Sequence, residues 1–405
     1  MKKFLLFFFV LLFVIFINGF LFPAESGDVN SDGKVDIVDA LMVAQYSVGI
    51  VPAGFVMAAA DVNSDGIINI VDALIIAQIY VGIIPVPNDK ILIPHPSWTC
   101  GMANGIPKPE KGVLVLEADM KLAQIYNPGK TQYGKRQVLT VQSGTITGTG
   151  INGTIMSGGL DFQLVLSNGA MEIEQLLVIR TGDGNYIFLR NAGAAVNQND
   201  VRMVPDFEAS SSGSYNWLNS GKYAGRRVVD AAAKTMKISV YDISAITVNP
   251  DASNSITVTE PADVIDQPWD YRKAEASERK GNQFITEGVT LGASQSVGAT
   301  KRGNRNIIPI TGGTVSGRIT AQILPAGADY QNLSNPATID ARYLWQTNDG
   351  EIIIVRNGGQ FGALVPTFEV RADSKYAYMN NTLYLSSDPG SGGGGVQITF
   401  YESIK

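Results

Sequence analysis

Met171-Glu172-Ile173-Glu174-Gln175-Leu176-Leu177-Val178-Ile179, then Thr181-Gly182-Asp183-Gly184, then Tyr186-Ile187-Phe188-Leu189-Arg190-Asn191-Ala192-Gly193 make up one stretch of the chain. Two apolar-rich runs flank an Asp-Gly turn, whose glycine supplies the positive φ of a tight hairpin. The arrangement returns as Ile339-Asp340-Ala341-Arg342-Tyr343-Leu344-Trp345, Asn348-Asp349-Gly350 and Ile352-Ile353-Ile354-Val355-Arg356-Asn357-Gly358-Gly359. One hairpin predicts two strands, whereas the same hairpin met twice predicts a duplicated β domain.

Other landmarks recur in the same order. Tyr133-Gly134-Lys135-Arg136 and the glycine pair Gly144/Gly148 match Arg302-Gly303-Asn304-Arg305 and Gly313/Gly317. Gly159-Leu160-Asp161 matches Gly327-Ala328-Asp329, Pro205-Asp206-Phe207-Glu208 matches Pro366-Thr367-Phe368-Glu369, and Val240-Tyr241-Asp242 matches Phe400-Tyr401-Glu402. The body is therefore a tandem of two homologous domains, 112–248 and 262–405, joined over Asn249–Asp266. It is glycine-rich and broken by turn signals every eight to twelve residues or so, the mark of an all-β body. This order of marks resembles the DUF3237 family, also called UPF0311, over about 112–243 and 284–403. The resemblance implies compact closed β-barrels with a lipocalin-like interior. It implies no settled activity, so no catalytic residue is carried over from it.

The polar residues that recur in both copies are the candidate site: Arg136 with Arg305, Asp161 with Asp329, Glu174 with Asp340, Arg190 with Arg356, Asn191 with Asn357, Glu208 with Glu369, Tyr215 with Tyr376, Trp217 with Tyr378, and Asn219 with Asn380. A small barrel points every second residue inward, where an unpaired polar group costs roughly 2–7 kcal/mol unless a partner or ligand satisfies it. Acid, base and aromatic platform together suit a sugar or phenolic ligand. The structural alternative has the aspartates capping turns, the glutamates paired with the arginines and the aromatics filling core. The first copy carries insertions at Asn197–Arg202 and Gly221–Ala233, and has Glu174-x-Leu176 where the second has Asp340-x-Arg342. The second copy is thus the expected seat of function, with Asp340, Arg356, Glu369 and Asp329 as catalytic candidates. Arg305, Arg342, Asn357, Tyr376, Tyr378 and Asn380 are its ligand-binding candidates, beside Arg136, Asp161, Glu174 and Arg190 of the first copy.

Nearer the N-terminus a second duplication appears, Asp28-Val29-Asn30-Ser31-Asp32-Gly33 and Asp61-Val62-Asn63-Ser64-Asp65-Gly66. Loop positions 1, 3, 5, 9 and 12 carry oxygen in both copies: Asp28, Asn30, Asp32, Asp36 and Asp39, then Asp61, Asn63, Asp65, Asn69 and Asp72. With the backbone carbonyls of Lys34 and Ile67 at position 7 they form the donor set of a hard cation. Each loop is followed by an apolar-striped segment closing on glycine, Ala40–Gly49 and Ala73–Gly82, which predicts a helix. Loop and helix twice over, across 27–84, resembles the type I dockerin module. That resemblance implies two bound calcium ions and docking onto a cohesin domain of a scaffoldin or surface protein. Where many dockerins carry Ser-Thr, this chain has Ile37-Val38 and Ile70-Val71, which serve either as internal core or as an apolar contact surface. The fold class is therefore mainly β, two tandem lipocalin-like β-barrels preceded by a small α-helical calcium-binding dockerin.

Met1-Lys2-Lys3 and the apolar run Phe4–Ile17 predict a secretory signal over 1–24 or an uncleaved anchor, and an extracellular, surface-attached or secreted protein. Net charge is −6 with scattered basic residues, which argues against a nucleic-acid partner. One cysteine, Cys100, excludes an internal disulfide, and one histidine, His95, excludes a multi-histidine zinc site. Both fall in 85–111, whose prolines read as a linker. Two function classes follow. One is a carbohydrate-active hydrolase taking part in polysaccharide catabolism, since carboxylate pairs without histidine suit glycoside chemistry. The other is a non-catalytic module that binds a small ligand or carbohydrate, or serves as a spacer. No cofactor is evident for the barrels. Inward carboxyls about 5–9.5 Å apart over an open pocket would favour hydrolysis, and a barrel plugged by its own side chains would favour the second class.

Overall fold

The structure is a computed structural model that describes residues 26–32, 34–63, 67–81, 83, 90–98, 101–102, 104–197, 200–252, 254–258, 272–392 and 395–405. The signal or anchor segment, Cys100, Asp65 and the loop glycines Gly33 and Gly66 lie outside the described residues. The chain divides into two compact units, one ending at Lys90 and one spanning Ile91–Lys405. No helix among the described residues is long and apolar enough to cross a membrane.

In the first unit each oxygen-rich loop runs straight into a helix, Ile37–Ser47 and Ile70–Tyr80. The starts are set by side chains: Asp36 accepts the Val38 N–H and Asn69 the Val71 N–H, both at 2.7 Å. Asp39 and Asp72 complete capping boxes by accepting the N–H of Asp36 and Asn69 at 2.9 Å, so donors that the first helical turn leaves over are satisfied. A one-turn helix, Met57–Ala60, precedes the second loop. Val29, Val43, Ala60 and Ile76 form the small core between the elements.

In the second unit the first copy closes on itself. Its opening strand Val113–Lys130 pairs with Lys135–Gly148 on one side and with the last strand, Thr235–Asp242, on the other, so Leu116 faces both Gly148 and Val240. Closure removes the edges that a sheet of this length would expose. The strand Tyr223–Asp230 completes the ring, and it lies within the stretch that reads as an insertion. The second copy runs in the same order from Arg279–Leu291 to Gly395–Ile404, but its counterpart strand is only Tyr384–Ser386. No ladder joins that strand to Val365–Glu369. A single backbone bond, Ser386 N–H to Leu364 O at 2.9 Å, spans the seam. The expectation of two closed barrels thus holds for the first copy, while the second stays open along one seam because the pairing strand is too short. Hairpin glycines Gly184 and Gly350 both take φ +89, as their turns require.

The two barrels pack through their outer faces. Phe162, Leu176 and Phe188 of the first meet Ile307, Tyr330 and Leu344 of the second in one buried cluster. Reciprocal backbone bonds, Ser211 N–H to Ala299 O and Ala372 N–H to Lys130 O, both 2.8 Å, give the junction an approximate two-fold relation. Gly327 is obligatory here: its N–H donates to Gly158 O at 2.8 Å, and a Cβ would sit 1.9 Å from the Arg342 carbonyl oxygen.

The stretch read as a linker is instead part of the body from residue 91 onward. Ile91–Ile93 pairs in parallel with Ser255–Thr257, inside the presumed joint. Trp98 is 2% exposed and its indole N–H donates to Gly193 O at 2.9 Å. Proline content signalled a break in regular structure, but the apolar Leu92, Trp98 and Ile106 between the prolines decide that the segment is buried. A chain starting at Gly105 loses Leu92 and Trp98, so it is expected to unfold about 3–5 kcal/mol more easily than one starting at Lys90. Urea denaturation of the two truncations checks this, and equal midpoints would restore the linker reading.

Candidate functional site

Apart from Asp161 and Asp329, the recurring charged residues do not point into the barrels. Strand alternation places Glu174, Arg190, Asp340, Arg342 and Arg356 on the outer faces, where the packing of the two barrels buries them. Arg136 Nε donates to Glu369 at 2.8 Å and Arg305 Nη2 to Glu208 at 2.8 Å, each across the junction into the other copy. Thr131 and Thr300 reinforce the same carboxylates at 2.5 and 2.9 Å. At the centre Arg342 bridges Glu174 of the first barrel and Asp340 of its own strand, while Arg190 pairs with Glu174 and Arg356 with Asp340. Burial pushes the Asp340 carboxyl up, but the Arg342 and Arg356 guanidiniums outweigh it and hold it well below the usual carboxylate range. Burial likewise opposes, and Arg342, Arg190 and Arg356 prevail in, the lowering of Glu174. Two clefts flank this network, of about 730 and 430 Å³. Arg190, Arg302 and Arg305 line the larger, and Arg136, Arg272 and Arg356 the smaller.

Other candidates are structural. Asn219 and Asn380 each exchange two hydrogen bonds with one backbone residue, Ala209 and Val370, at 2.8–2.9 Å. Tyr215 and Tyr376 donate to the hairpin aspartates Asp183 and Asp349 at 3.0 and 2.9 Å. Trp217 and Tyr378 are 40% and 42% exposed, and Tyr378 meets the core ring of Phe284 edge to face at 6.5 Å.

The inward positions are Asp161, Gln175 and Asn191 on one rung of the first barrel, and Asp329, Ala341 and Asn357 on the matching rung of the second. In the first, Asn191 donates to Gln175 and Gln175 to Asp161, both at 2.7 Å, and Arg227 grips both Asp161 oxygens at 2.9 and 2.7 Å. Above this rung the first barrel is packed with Leu139, Leu177, Leu189 and Ile238. The second is packed with Phe284, Tyr343, Trp345 and Phe400. Sequence reasoning missed one inward acid, Glu287, which is 0% exposed and accepts from Tyr343 Oη at 2.6 Å and Trp345 Nε1 at 3.2 Å. Its place in the first copy is taken by Ala118, so it never appeared among recurring residues; its signal was a lone charge on an inward-facing strand position. Burial pushes the Glu287 carboxyl up to about 8 and Asp329 up to about 7.

In the first unit Ile37, Val38, Leu41, Ile70, Val71 and Leu74 stand 47–60% exposed around one apolar surface hollow. The internal-core reading of the two Ile-Val pairs is therefore excluded. Beside it, Asp28 and Asp39 are 5% and 0% exposed. Burial raises the Asp39 carboxyl, and the nearby Asp28 charge adds to the rise. Asp39 Oδ1 accepts the Val29 N–H at 2.9 Å and Asp28 Oδ1 the Asp32 N–H at 3.1 Å. The donors are all oxygen, which fits calcium. Among the described residues, no three carboxylates, imidazoles or thiols converge as a metal cage.

A family profile described as "Protein of unknown function (DUF3237)" matches residues 111–246 and 282–363, more than half of the chain. The chain belongs to the DUF3237 family. A second profile, dockerin type I domain, matches residues 26–79. Similar sequences include a UPF0311 protein of Rhodopseudomonas palustris strain TIE-1, 40% identical over 134 residues, covering 27% of this chain and 87% of that protein. A UPF0311 protein of Bradyrhizobium diazoefficiens is 44% identical over 75 residues, 18% of this chain and 49% of that one. One of Clostridium acetobutylicum is 36% identical over 84 residues, 20% and 49%. The chain spans about half the length of these last two relatives. Among solved structures, a beta-barrel like protein of Acinetobacter baumannii is 23% identical with a TM-score of 0.30, covering 32% of this chain and 94% of that one. A Clostridium acetobutylicum protein of unknown function is 25% identical with a TM-score of 0.29, covering 32% and 97%. The DUF3237 tandem is thus preceded by a dockerin, a module that generally binds calcium and implies binding to a cohesin domain in a larger complex.

Proposed function

We propose that this chain is a docking component of an extracellular, cohesin-scaffolded complex, and that its DUF3237 tandem serves that complex by binding or bridging and not by hydrolysis. The observation that carries the docking half is the apolar hollow of Ile37, Val38, Leu41, Ile70, Val71 and Leu74, with almost no polar atom in it. An exposed apolar patch built equally from two duplicated helices is suited to burial against another protein. Asp28, Asn30, Asp32, Asp36, Asp39 and the Lys34 carbonyl would hold one calcium ion, and Asp61, Asn63, Asp65, Asn69, Asp72 and the Ile67 carbonyl a second. Calcium would neutralise the loop carboxylates and fix the two helices that present the face. The setting in polysaccharide breakdown rests on the N-terminal signal pattern and on the company that dockerins keep. Against hydrolysis by the tandem stand barrel interiors packed with apolar side chains beyond the polar rung and the candidate acid Asp340 held ionised between two arginines.

Val38→Glu with Val71→Glu is expected to weaken capture by a responsive type I cohesin at least 100-fold, with unchanged helical signal. EDTA is expected to abolish capture in the unaltered chain. Surface plasmon resonance against a cohesin panel reads both, and full affinity in the double variant would remove the face from the interface. Release of soluble sugar from any plant cell-wall polysaccharide by the purified chain would overturn the non-hydrolytic half.

A further inference from the structure

We propose that the second barrel holds a binding site for a guanidinium-bearing small molecule, in the place that Arg227 fills in the first barrel. This goes beyond cohesin docking, which belongs to the other unit. The argument is a comparison of two copies of one rung. In the first barrel Asp161 is 0% exposed, and its oxygens are taken by Arg227 and Gln175. In the second, Ala341 stands where Gln175 stood. The register past Ser386 brings Asp388 to the position of Arg227, and Asp388 is turned outward to accept the Gly362 N–H at 2.7 Å. Both groups that clamp Asp161 are therefore gone.

What is left is a prepared acceptor. Asp329 Oδ2 takes a bond from Gln331 Nε2 at 2.7 Å, and Gln331 is held by Asn306 at 2.8 Å, itself held by Ser294 at 2.6 Å. That chain fixes the carboxylate, and the Asp340 backbone N–H also acts on it, yet no side chain donates to its buried Oδ1. Across Ala341, Asn357 is 2% exposed, anchored through Nδ2 to Ser386 Oγ at 3.2 Å, and its Oδ1 is also unpartnered. Asn191 Oδ1 is unpartnered in the first barrel too, so the aspartate oxygen is what distinguishes the copies. A buried acceptor left unpaired costs roughly 1–3 kcal/mol, which a donor-bearing ligand recovers. The planar fork of a guanidinium matches a carboxylate bidentately, as Arg227 demonstrates on Asp161, and its remaining N–H groups suit the Asn357 carbonyl. Asp329 is partly solvent-accessible, where Asp161 is sealed. The upward push that burial gives Asp329 agrees with a carboxylate lacking its cation.

Agmatine titrated into the calcium-loaded full chain by calorimetry is expected to show one saturable site, with n-butylammonium at least tenfold weaker. Asp329→Asn, which keeps the shape, and Ala341→Gln, which restores the first barrel's filler, are each expected to weaken agmatine at least tenfold at unchanged melting temperature. Should Asp329→Asn fail to fold, Ala341→Gln decides alone. No saturable heat at millimolar agmatine, equal affinity for n-butylammonium, or full affinity in the folded variants would each overturn the proposal. Cohesin capture run on the same samples reports the docking half separately.

Discussion

Replacing Arg342 with methionine is expected to destabilise the DUF3237 tandem by about 3–5 kcal/mol, the usual cost of removing one partner from a buried ion pair. Arg342 is 5% exposed and lies between Glu174 and Asp340, one from each barrel. Methionine preserves the apolar stem that packs against the junction but removes the charge. Glu174 keeps Arg190 and Asp340 keeps Arg356, yet each loses one of two guanidiniums in a largely buried site. Adding Glu174→Gln to the variant removes one of the stranded charges, so it is expected to recover part of the loss. The paired substitutions, followed by urea denaturation with tryptophan fluorescence, form a cycle whose coupling term measures the bridge between barrels. An Arg342→Met variant with the original midpoint would mean the network contributes only to specificity. Arg342 replaces the Leu176 of the first copy, so the junction departs from two-fold equivalence where its charge is most concentrated.

Glu287 should give the tandem an alkaline sensitivity, to which Asp329, raised to about 7, adds in the same direction. Its folded value is raised from the ordinary 4.5 to about 8 by burial among Tyr343 and Trp345. A raised group contributes stability that is fully present below about pH 4.5 and is lost as pH climbs through 8. That span corresponds to a loss on the order of 4 kcal/mol. Asp340 and Glu174, held low by arginines, have the opposite sign: their contribution is present above the ordinary carboxylate range and disappears on acidification. Stability is expected to fall on both sides of a mildly acidic maximum. Glu287→Gln should flatten only the alkaline limb, since the amide can donate to Tyr343 Oη and accept from Trp345 Nε1. Denaturation midpoints between pH 5 and pH 9 would test it, and an unchanged alkaline slope in the variant would assign that limb to other groups. Trp345 touches the acid directly, so its emission should titrate over the same range.

The duplicated hairpins, the order of the two β domains and the paired oxygen-rich loops were legible in the chain itself. Each depends on local chemistry: two-residue alternation, glycines that alone take φ near +89 at the turns, and Asx side chains that cap the helix following them. Alternation also separated the polar residues into two sets. It could not say which set faced inward, because the outer face of one barrel became buried only when the second barrel covered it. For that reason Glu174, Arg190, Asp340 and Arg356 read as a lined interior and lie at the junction, whereas Asp161 and Asp329, read in the same set, lie inside. The proline-rich stretch before residue 112 misled for a related reason: its local signal is a break in regular structure, and the burial of Trp98 depends on a strand 95 residues away. Local conformational preference is written residue by residue. Burial, and with it the pairing of charges, the open seam of the second barrel and the exposure of the Ile-Val pairs, is settled only when distant surfaces meet and exclude water.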